Sequence, residues 1–178
     1  MLAAGAARRF GGDKLLAEFR GRPLAAHAAD TLAGMGFDHL IAACPADSAA
    51  RVGLFTSRGF EIVWVEHPED GMGRSLAIGA ARALELGAEA LLVCLADMPN
   101  VDRGHLERVL AAYDGATSVA TEVDGIRMPP ALFPKALFPA LVALTGDSGA
   151  KPLLRGARLV AADAATAVDI DTADDLRR

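Results

Sequence analysis

The chain has 178 residues, 52% of them apolar and 23% charged, with a formal net charge of −5. This length and apolar share fit one globular domain with a sizeable core. The acidic balance excludes a generic nucleic-acid or anionic-membrane binder while leaving room for a local basic pocket, and no apolar run approaches the roughly 20 residues that span a bilayer.

The chain opens on Met1 to Ala3, enough for only a very short first strand, and then enters a loop of small residues, Gly5-Ala6-Ala7-Arg8-Arg9-Phe10-Gly11-Gly12-Asp13, that delivers Lys14. Small side chains let a ligand approach the backbone, and glycines permit the φ values that aim several N–H groups at one anion. Arg9 and Lys14 add two cations, a combination suited to a nucleoside triphosphate. Lysine is scarce here, occurring only at 14, 135 and 151. A Walker loop is excluded because Lys14 is followed by Leu15 rather than Ser or Thr, and the dinucleotide G-x-G-x-x-G is absent because Ala6 and Ala7 follow Gly5. The plainer reading is a flexible loop with scattered charges.

Downstream, Pro23 to Met35 reads as a helix closed by Gly34 and Gly36. His39 to Cys44 reads as a strand, Ser48 to Ser57 as a helix, and Glu61 to Val65 as a β-branched strand ended by His67-Pro68. Arg74 to Leu86 reads as a helix stopping at Gly87, and Ala90 to Ala96 as a strand covered on both faces. Arg103 to Tyr113 is helical and Thr117 to Thr121 a strand. This βαβα order predicts an α/β fold: a mostly parallel sheet with helices on both faces, a three-layer Rossmann-like arrangement. After residue 125, Met128-Pro129-Pro130, Phe133-Pro134 and Phe138-Pro139 are expected to break regular structure, ahead of a short helix around Ala150 to Leu154. The organisation read from this is a single domain, with residues 1–124 binding nucleotide, 125–160 facing the second substrate, and 161–178 forming a terminal strand and helix.

Ligands of parallel sheets gather beyond the carboxyl ends of the strands. Besides the first loop, two segments arrive there: Gly71-Met72-Gly73-Arg74-Ser75, a small-residue turn opening a helix, and Leu95-Ala96-Asp97-Met98-Pro99, where a carboxylate follows the central strand. Asp97 beside a polyphosphate is a natural Mg²⁺ ligand, since magnesium takes one or two carboxylates plus phosphate oxygens and waters; its plainer role is to cap the turn before Pro99. A second carboxylate is read from the end of a strand-like stretch, where Asp169 and Asp171 share a face and Asp169 is preferred. Thr172 with Asp174 and Asp175 reads as a structural N-cap. His27 reads as a packed side chain, and His39, His67 and His105 have no nameable partners, so a triad hydrolase is unsupported. Arg8, Arg20 and Arg22 read as solvated charges. Cys44 and Cys94 lie in apolar runs and read as buried hydrophobes; with no CxxC, a zinc site is not expected. With no secretory signal visible, a reducing cytoplasm fits.

Several segments together resemble one family. Leu2-Ala3-Ala4-Gly5 through Arg9-Phe10-Gly11 to Lys14-Leu15-Leu16 is similar to the L-A-A-G-x-S-x-R-M-G-x-x-K-L-L signature of MobA-like nucleotidyltransferases that act on molybdopterin. Gly21-Arg22-Pro23-Leu24 resembles its G-x-P-L step; Gly71-Met72 to Ser75-Leu76 and Gly79 resemble G-M-x-x-S-L-x-x-G; Leu95 to Pro99 resembles the D-x-P metal segment. Gly146-Asp147-Ser148-Gly149-Ala150-Lys151 is similar to G-D-x-G-A-[RK], and Asp169 to Leu176 to D-I-D-T-P-E-D-L. Departures are Ala7 for a loop serine, Phe10 for methionine, Ala173 for proline, and Met128-Pro129-Pro130 where a G-x-P segment is common.

The resemblance implies a Mg²⁺-dependent transfer of a nucleoside monophosphate to the phosphate of molybdopterin cofactor, with pyrophosphate released. The L-A-A-G form resembles members that use CTP. It implies a nucleotide site of Leu2, Ala3, Ala4, Gly5, Ala6, Ala7, Arg9, Lys14, Gly71, Arg74, Ser75, Gly79 and Asp97, with Arg9, Lys14 and Asp97 serving the chemistry. Pro130, Gly146, Asp147, Gly149, Ala150 and Lys151 would meet the acceptor, and Asp97 and Asp169 the metal. The product would pass to a molybdoenzyme or its maturation factor. Still open at this point are GTP in place of CTP, a methylerythritol phosphate or sugar phosphate acceptor, and a non-catalytic nucleotide-binding maturation factor.

Overall fold

The computed structural model describes residues 1–5, 10, 12–147, 149–166, 169–170, 172 and 175–177. A small hairpin, β1 (Glu18–Phe19) and β2 (Arg22–Pro23), leads into α1 (Leu24–Ala33). Then come β3 (Ile41–Pro45), α2 (Ala49–Thr56), β4 (Glu61–Val65), α3 (Met72–Glu85), β5 (Ala90–Val93) and α4 (Arg103–Ala111). The last third holds β6 (Val119–Val123), β7 (Ile126–Pro134), α5 (Phe138–Val142) and β8 (Arg158–Ala161).

Leu2 joins what would otherwise be two sheets, bridging Ala43 of β3 and Leu95 just past β5, both in parallel. Leu2 N donates to Cys94 O at 2.9 Å and Ala96 N to Leu2 O at 3.1 Å, while Ala3 N donates to Ala43 O and Ala43 N to Met1 O, each at 3.0 Å. Residues 2 and 3 thus face opposite neighbours, and a very short strand suffices because it is paired on both sides. The resulting order is β4–β3–residues 1–3–β5–β7–β6–β8. Within this sheet every described strand points the same way except β7, which runs against both β5 and β6.

Side-chain alternation divides the sheet into two covered faces. Ala3, Ala42, Cys44, Cys94 and Ala96 pack with α1, α2 and Leu106 of α4. Val93, Ala120, Ala131 and Phe133 pack with Leu76, Ala80 and Ala83 of α3 and Phe138 and Leu141 of α5. The alanine run of α1 brings that helix close to the sheet, with Ala25, Ala26 and Ala29 essentially inaccessible. Both cysteines are free and buried, as expected, and burial pushes Cys44 up to about 11 and Cys94 to about 12. Among the described residues no helix is long and apolar enough to cross a membrane.

Three expectations need correction. The proline-rich stretch after residue 125 does not break regular structure: β7 passes through Pro129, Pro130 and Pro134. The ladder steps from Ala120↔Ala131 to Thr121↔Met128, so Pro129 and Pro130, which have no N–H to donate, occupy a bulge. Thr121 Oγ1 donates to Pro130 O at 2.9 Å and so satisfies the freed carbonyl. Second, the terminal strand lies at Arg158–Ala161, well before Asp169. Third, the described part of the C-terminus ends in a 3₁₀ turn at Asp175–Arg177 rather than an α-helix. The capping role of Thr172 holds: its Oγ1 accepts from Asp175 N at 3.3 Å, and Thr172 N donates back to Asp175 Oδ2 at 2.9 Å.

His27 is packed as expected, linking the hairpin to α1 through Nε2 at 2.8 Å from Phe19 O, with Arg22 Nη2 3.1 Å from its Nδ1. Arg22 is therefore more than a solvated charge; it also donates to Asp30 at 2.7 Å.

Candidate active site

The first loop leaves the sheet beyond Ala3 and returns at Asp13. Residues 6–9 and 11, including the expected contacts Ala6, Ala7 and Arg9, lie outside the described residues. Its return is built firmly: Asp13 caps the 3₁₀ turn Lys14–Leu16, accepting from Leu15 N at 3.1 Å. The turn aims Lys14 across the strand ends, where Nζ donates to Asp97 Oδ2 at 2.8 Å. The two side chains are 12% and 23% exposed, so the pair is partly shielded from water yet reachable by a ligand. Sequence reasoning placed Lys14 on a leaving pyrophosphate and Asp97 on a metal; the fold joins the two directly, as a charge-assisted hydrogen bond.

Asp169 reaches the same end of the sheet through its neighbour, since Ile170 N donates to Asp97 O at 3.0 Å. Ile170 is buried against Phe19 and Leu24, which anchors this return. The alternative ligand Asp171 is outside the described residues. Among the described residues no group of three or more His, Cys, Asp or Glu could enclose a metal ion.

The turn at Gly71–Gly73 and the loop at Thr145–Asp147 interlock. Gly71, at φ +94°, turns the chain into α3. Gly73 N donates to Gly146 O at 2.8 Å. A Cβ on Gly71 would lie 2.3 Å from Asp147 Oδ1 and 2.6 Å from Gly146 C, and one on Gly73 2.7 Å from Gly146 O and 2.8 Å from Thr145 O. Only glycine permits this approach. Gly146 and Asp147, assigned to the acceptor, therefore lie directly against Gly71, assigned to the nucleotide. A Cβ on Gly149 would be 3.5 Å from Met72 Sδ, and Ala150 immediately precedes the 3₁₀ turn Lys151–Leu154, its carbonyl accepting from Leu153 N at 2.9 Å. In the first turn of α3, Arg74 is exposed and Ser75 buried.

Two expected residues fall elsewhere. Gly79 lies two turns along α3, among residues lining an apolar cavity of about 480 Å³ near the starts of β3 and β5. Pro130 is fully buried within β7. One residue escaped sequence reading: Arg51, only 6% exposed, donates from Nε to Asp13 Oδ2 at 2.7 Å and from Nη1 to Ala3 O at 2.8 Å. Its signal was an arginine in the mostly apolar helix Ala49–Thr56.

Comparison with known proteins agrees with this fold. Residues 1–164 match the MobA-like NTP transferase domain. Among curated relatives, the purine catabolism protein PucB of Bacillus subtilis is 29% identical over 98% of this chain and 91% of its own length. The nicotine blue oxidoreductase of Paenarthrobacter nicotinovorans is 28% identical over 100% and 93%. The molybdenum cofactor guanylyltransferase of Cereibacter sphaeroides is 32% identical over 92% and 82%. Among solved structures, Rv0371c of Mycobacterium tuberculosis superposes with a TM-score of 0.86 at 28% identity, covering 99% of this chain and 94% of that one. The same protein has also been solved as a manganese complex, matching with a TM-score of 0.82 at 28% identity over 99% of this chain and 94% of that one. A sheet stitched at Leu2, a small-residue loop returning through Lys14 to Asp97, and a domain match over nearly its whole length place this chain in the family of MobA-like NTP transferases.

Proposed function

We propose that this chain transfers CMP from CTP to the terminal phosphate of molybdopterin cofactor and releases pyrophosphate. An acceptor phosphate oxygen, already ionised near neutral pH, attacks the α-phosphorus. The bond from that phosphorus to the oxygen bridging to the β-phosphate breaks, and pyrophosphate departs. No strong general base is required, so the work falls to alignment and charge neutralisation. The observation that carries this reading is the Lys14–Asp97 pair at 2.8 Å, which sets a cation and a carboxylate side by side where the small-residue loop returns to the sheet.

In this reading the loop from Ala4 to Lys14 takes the triphosphate, with Arg9 and Lys14 offsetting charge on the departing pyrophosphate. Arg74 and Ser75 stand near base or ribose, and Gly146 to Lys151 near the acceptor. Asp97, with Asp169 assisting, would hold Mg²⁺, which when bound neutralises phosphate charge and fixes substrate orientation. Arrival of the nucleotide gives Lys14 a second set of oxygens, freeing Asp97 for the cation. Support for the molybdopterin acceptor comes from the guanylyltransferase relative and from the Gly146 to Lys151 segment; support for CTP comes from the Leu2-Ala3-Ala4-Gly5 form. The same relative favours a second reading, transfer of GMP from GTP.

The test is pyrophosphate release from CTP, GTP, ATP or UTP with molybdopterin cofactor and Mg²⁺, together with chromatography of the dinucleotide. Release from CTP alone supports the first reading and release from GTP alone the second. Release from none would refute both.

A further inference from the structure

We propose that Arg51 is a positioning residue that holds the two ends of the phosphate-binding loop, Ala3 to Gly5 and Asp13 to Lys14, at a fixed separation. The inference rests on the reading above only in taking that loop as the triphosphate site. Arg51 is in α2, outside the loop, and its guanidinium is almost wholly buried. It touches both sides of the loop at once. On the outgoing side Nη1 donates to Ala3 O at 2.8 Å and to Gly5 O at 3.3 Å. On the returning side Nε donates to Asp13 Oδ2 at 2.7 Å. Asp13 is held in turn by Ser48 Oγ at 3.4 Å and by its cap on Leu15 N at 3.1 Å.

The backbone consequence follows from alternation along an extended chain. Residues 1 and 3 face β3, and residue 2 faces Cys94 and Ala96. Continuing outward, the carbonyls of Ala3 and Gly5 both turn to Arg51. A trans peptide plane points its N–H opposite to its C=O, so the N–H of Ala4 points away from Arg51, toward the side on which Asp97 lies. The guanidinium thus holds carbonyls out of the phosphate site and leaves an amide facing into it. It also ties Asp13, and through it the turn bearing Lys14, to the outgoing strand.

Only arginine has the planar fork for this arrangement; a lysine ammonium at the same place reaches fewer of the acceptors and cannot hold them in one plane. The buried cation and the partly exposed Asp13 carboxylate also offset each other, so the brace adds little net field of its own to the phosphates. Its effect is geometric.

The experiment compares wild type with Arg51→Lys and Asp13→Asn, measuring equilibrium binding of CTP and of GTP with Mg²⁺, thermal stability without ligand, and the KM for acceptor. The amide introduced by Asp13→Asn retains the acceptor for Leu15 N while losing the charge that holds Arg51, so this variant reads the brace even where Arg51→Lys folds poorly. The expected result is a loss of nucleotide affinity of roughly tenfold or more in both variants, with the acceptor KM within about twofold. Nucleotide affinity unchanged in both, with only the melting temperature lowered, overturns the proposal and leaves Arg51 as a packing residue. Wild type that binds CTP or GTP yet releases no pyrophosphate sinks the transfer reading while the affinity comparison still supports the brace. Wild type that binds neither nucleotide overturns both.

Discussion

Replacing Gly73 by alanine probes the clasp between the start of α3 and the Thr145–Asp147 loop. The new methyl carbon would lie 2.7 Å from Gly146 O, 2.8 Å from Thr145 O and 2.9 Å from Thr145 C. All three are backbone atoms, so no side chain can rotate aside. Contacts between such atoms become comfortable only near 3.5 Å, so the loop must retreat by roughly 0.5–0.8 Å. Overpacking of this kind costs about 1–3 kcal/mol. The retreat also stretches the hydrogen bond from Gly73 N to Gly146 O, now 2.8 Å, whose net worth is about 0.5–1.5 kcal/mol. Against this, alanine is favoured over glycine in a helix by at most about 1 kcal/mol. The balance is a loss near 2 kcal/mol, or about 4–8 °C in Tm for a chain of this size. Gly79→Ala supplies the control: same helix, same propensity gain, and nothing within 4 Å of the new methyl. It should raise Tm by about 2–4 °C. Both variants are followed by calorimetry or circular dichroism melts. A Gly73→Ala protein that melts with Gly79→Ala, above wild type, would refute the clasp.

Lys14→Ala should fold with a Tm near wild type and lose turnover by at least about a hundredfold, the scale of one transition-state charge contact, in the pyrophosphate-release assay. Asp97→Asn should abolish the response of that activity to divalent metal, and a titration of Mg²⁺ or Mn²⁺ that matches wild type would remove Asp97 from the metal site. Acid should weaken the fold through His105. Thr121 Oγ1 spends its proton on Pro130 O, so His105 Nε2–H, 2.7 Å away, donates to it, and Nδ1 accepts from Arg108 Nη2 at 3.1 Å. Burial first, then Arg108, holds the His105 pKa below its ordinary 6.5, with Asp102 opposing. The unfolded chain therefore binds more protons, and stability falls as pH drops below about 6.5. His27, also lowered by burial, adds to this slope. In melts from pH 8 to pH 5, His105→Gln should flatten part of the decline; an unchanged slope would clear His105 of the effect.

Residues adjacent in the chain determined much of this protein before any folding is considered. Apolar periodicity placed the helix at Arg103 and the strand at Glu61–Val65, because side-chain spacing is a local property of each element. The small-residue loop, Lys14 and the carboxylate after a buried strand were legible for the same reason, each being a short motif with its own chemistry. Local reading failed where a distant partner decides. Prolines 129 and 130 looked like breakers because pairing with β6 through a bulge lies in no window of sequence around them. Nothing in the residues around Arg51 marks it; only packing lays its guanidinium against carbonyls 46 and 48 residues away and a carboxylate 38 residues away. The need for glycine at 73 exists only because Thr145–Asp147 is pressed against it, and the same loop adds to the demand that a positive φ already makes at 71. Leu2, Lys14, Asp97 and Ile170 meet because parallel strands bring their carboxyl ends to one edge, and that convergence is a property of sheet order, which tertiary packing alone sets.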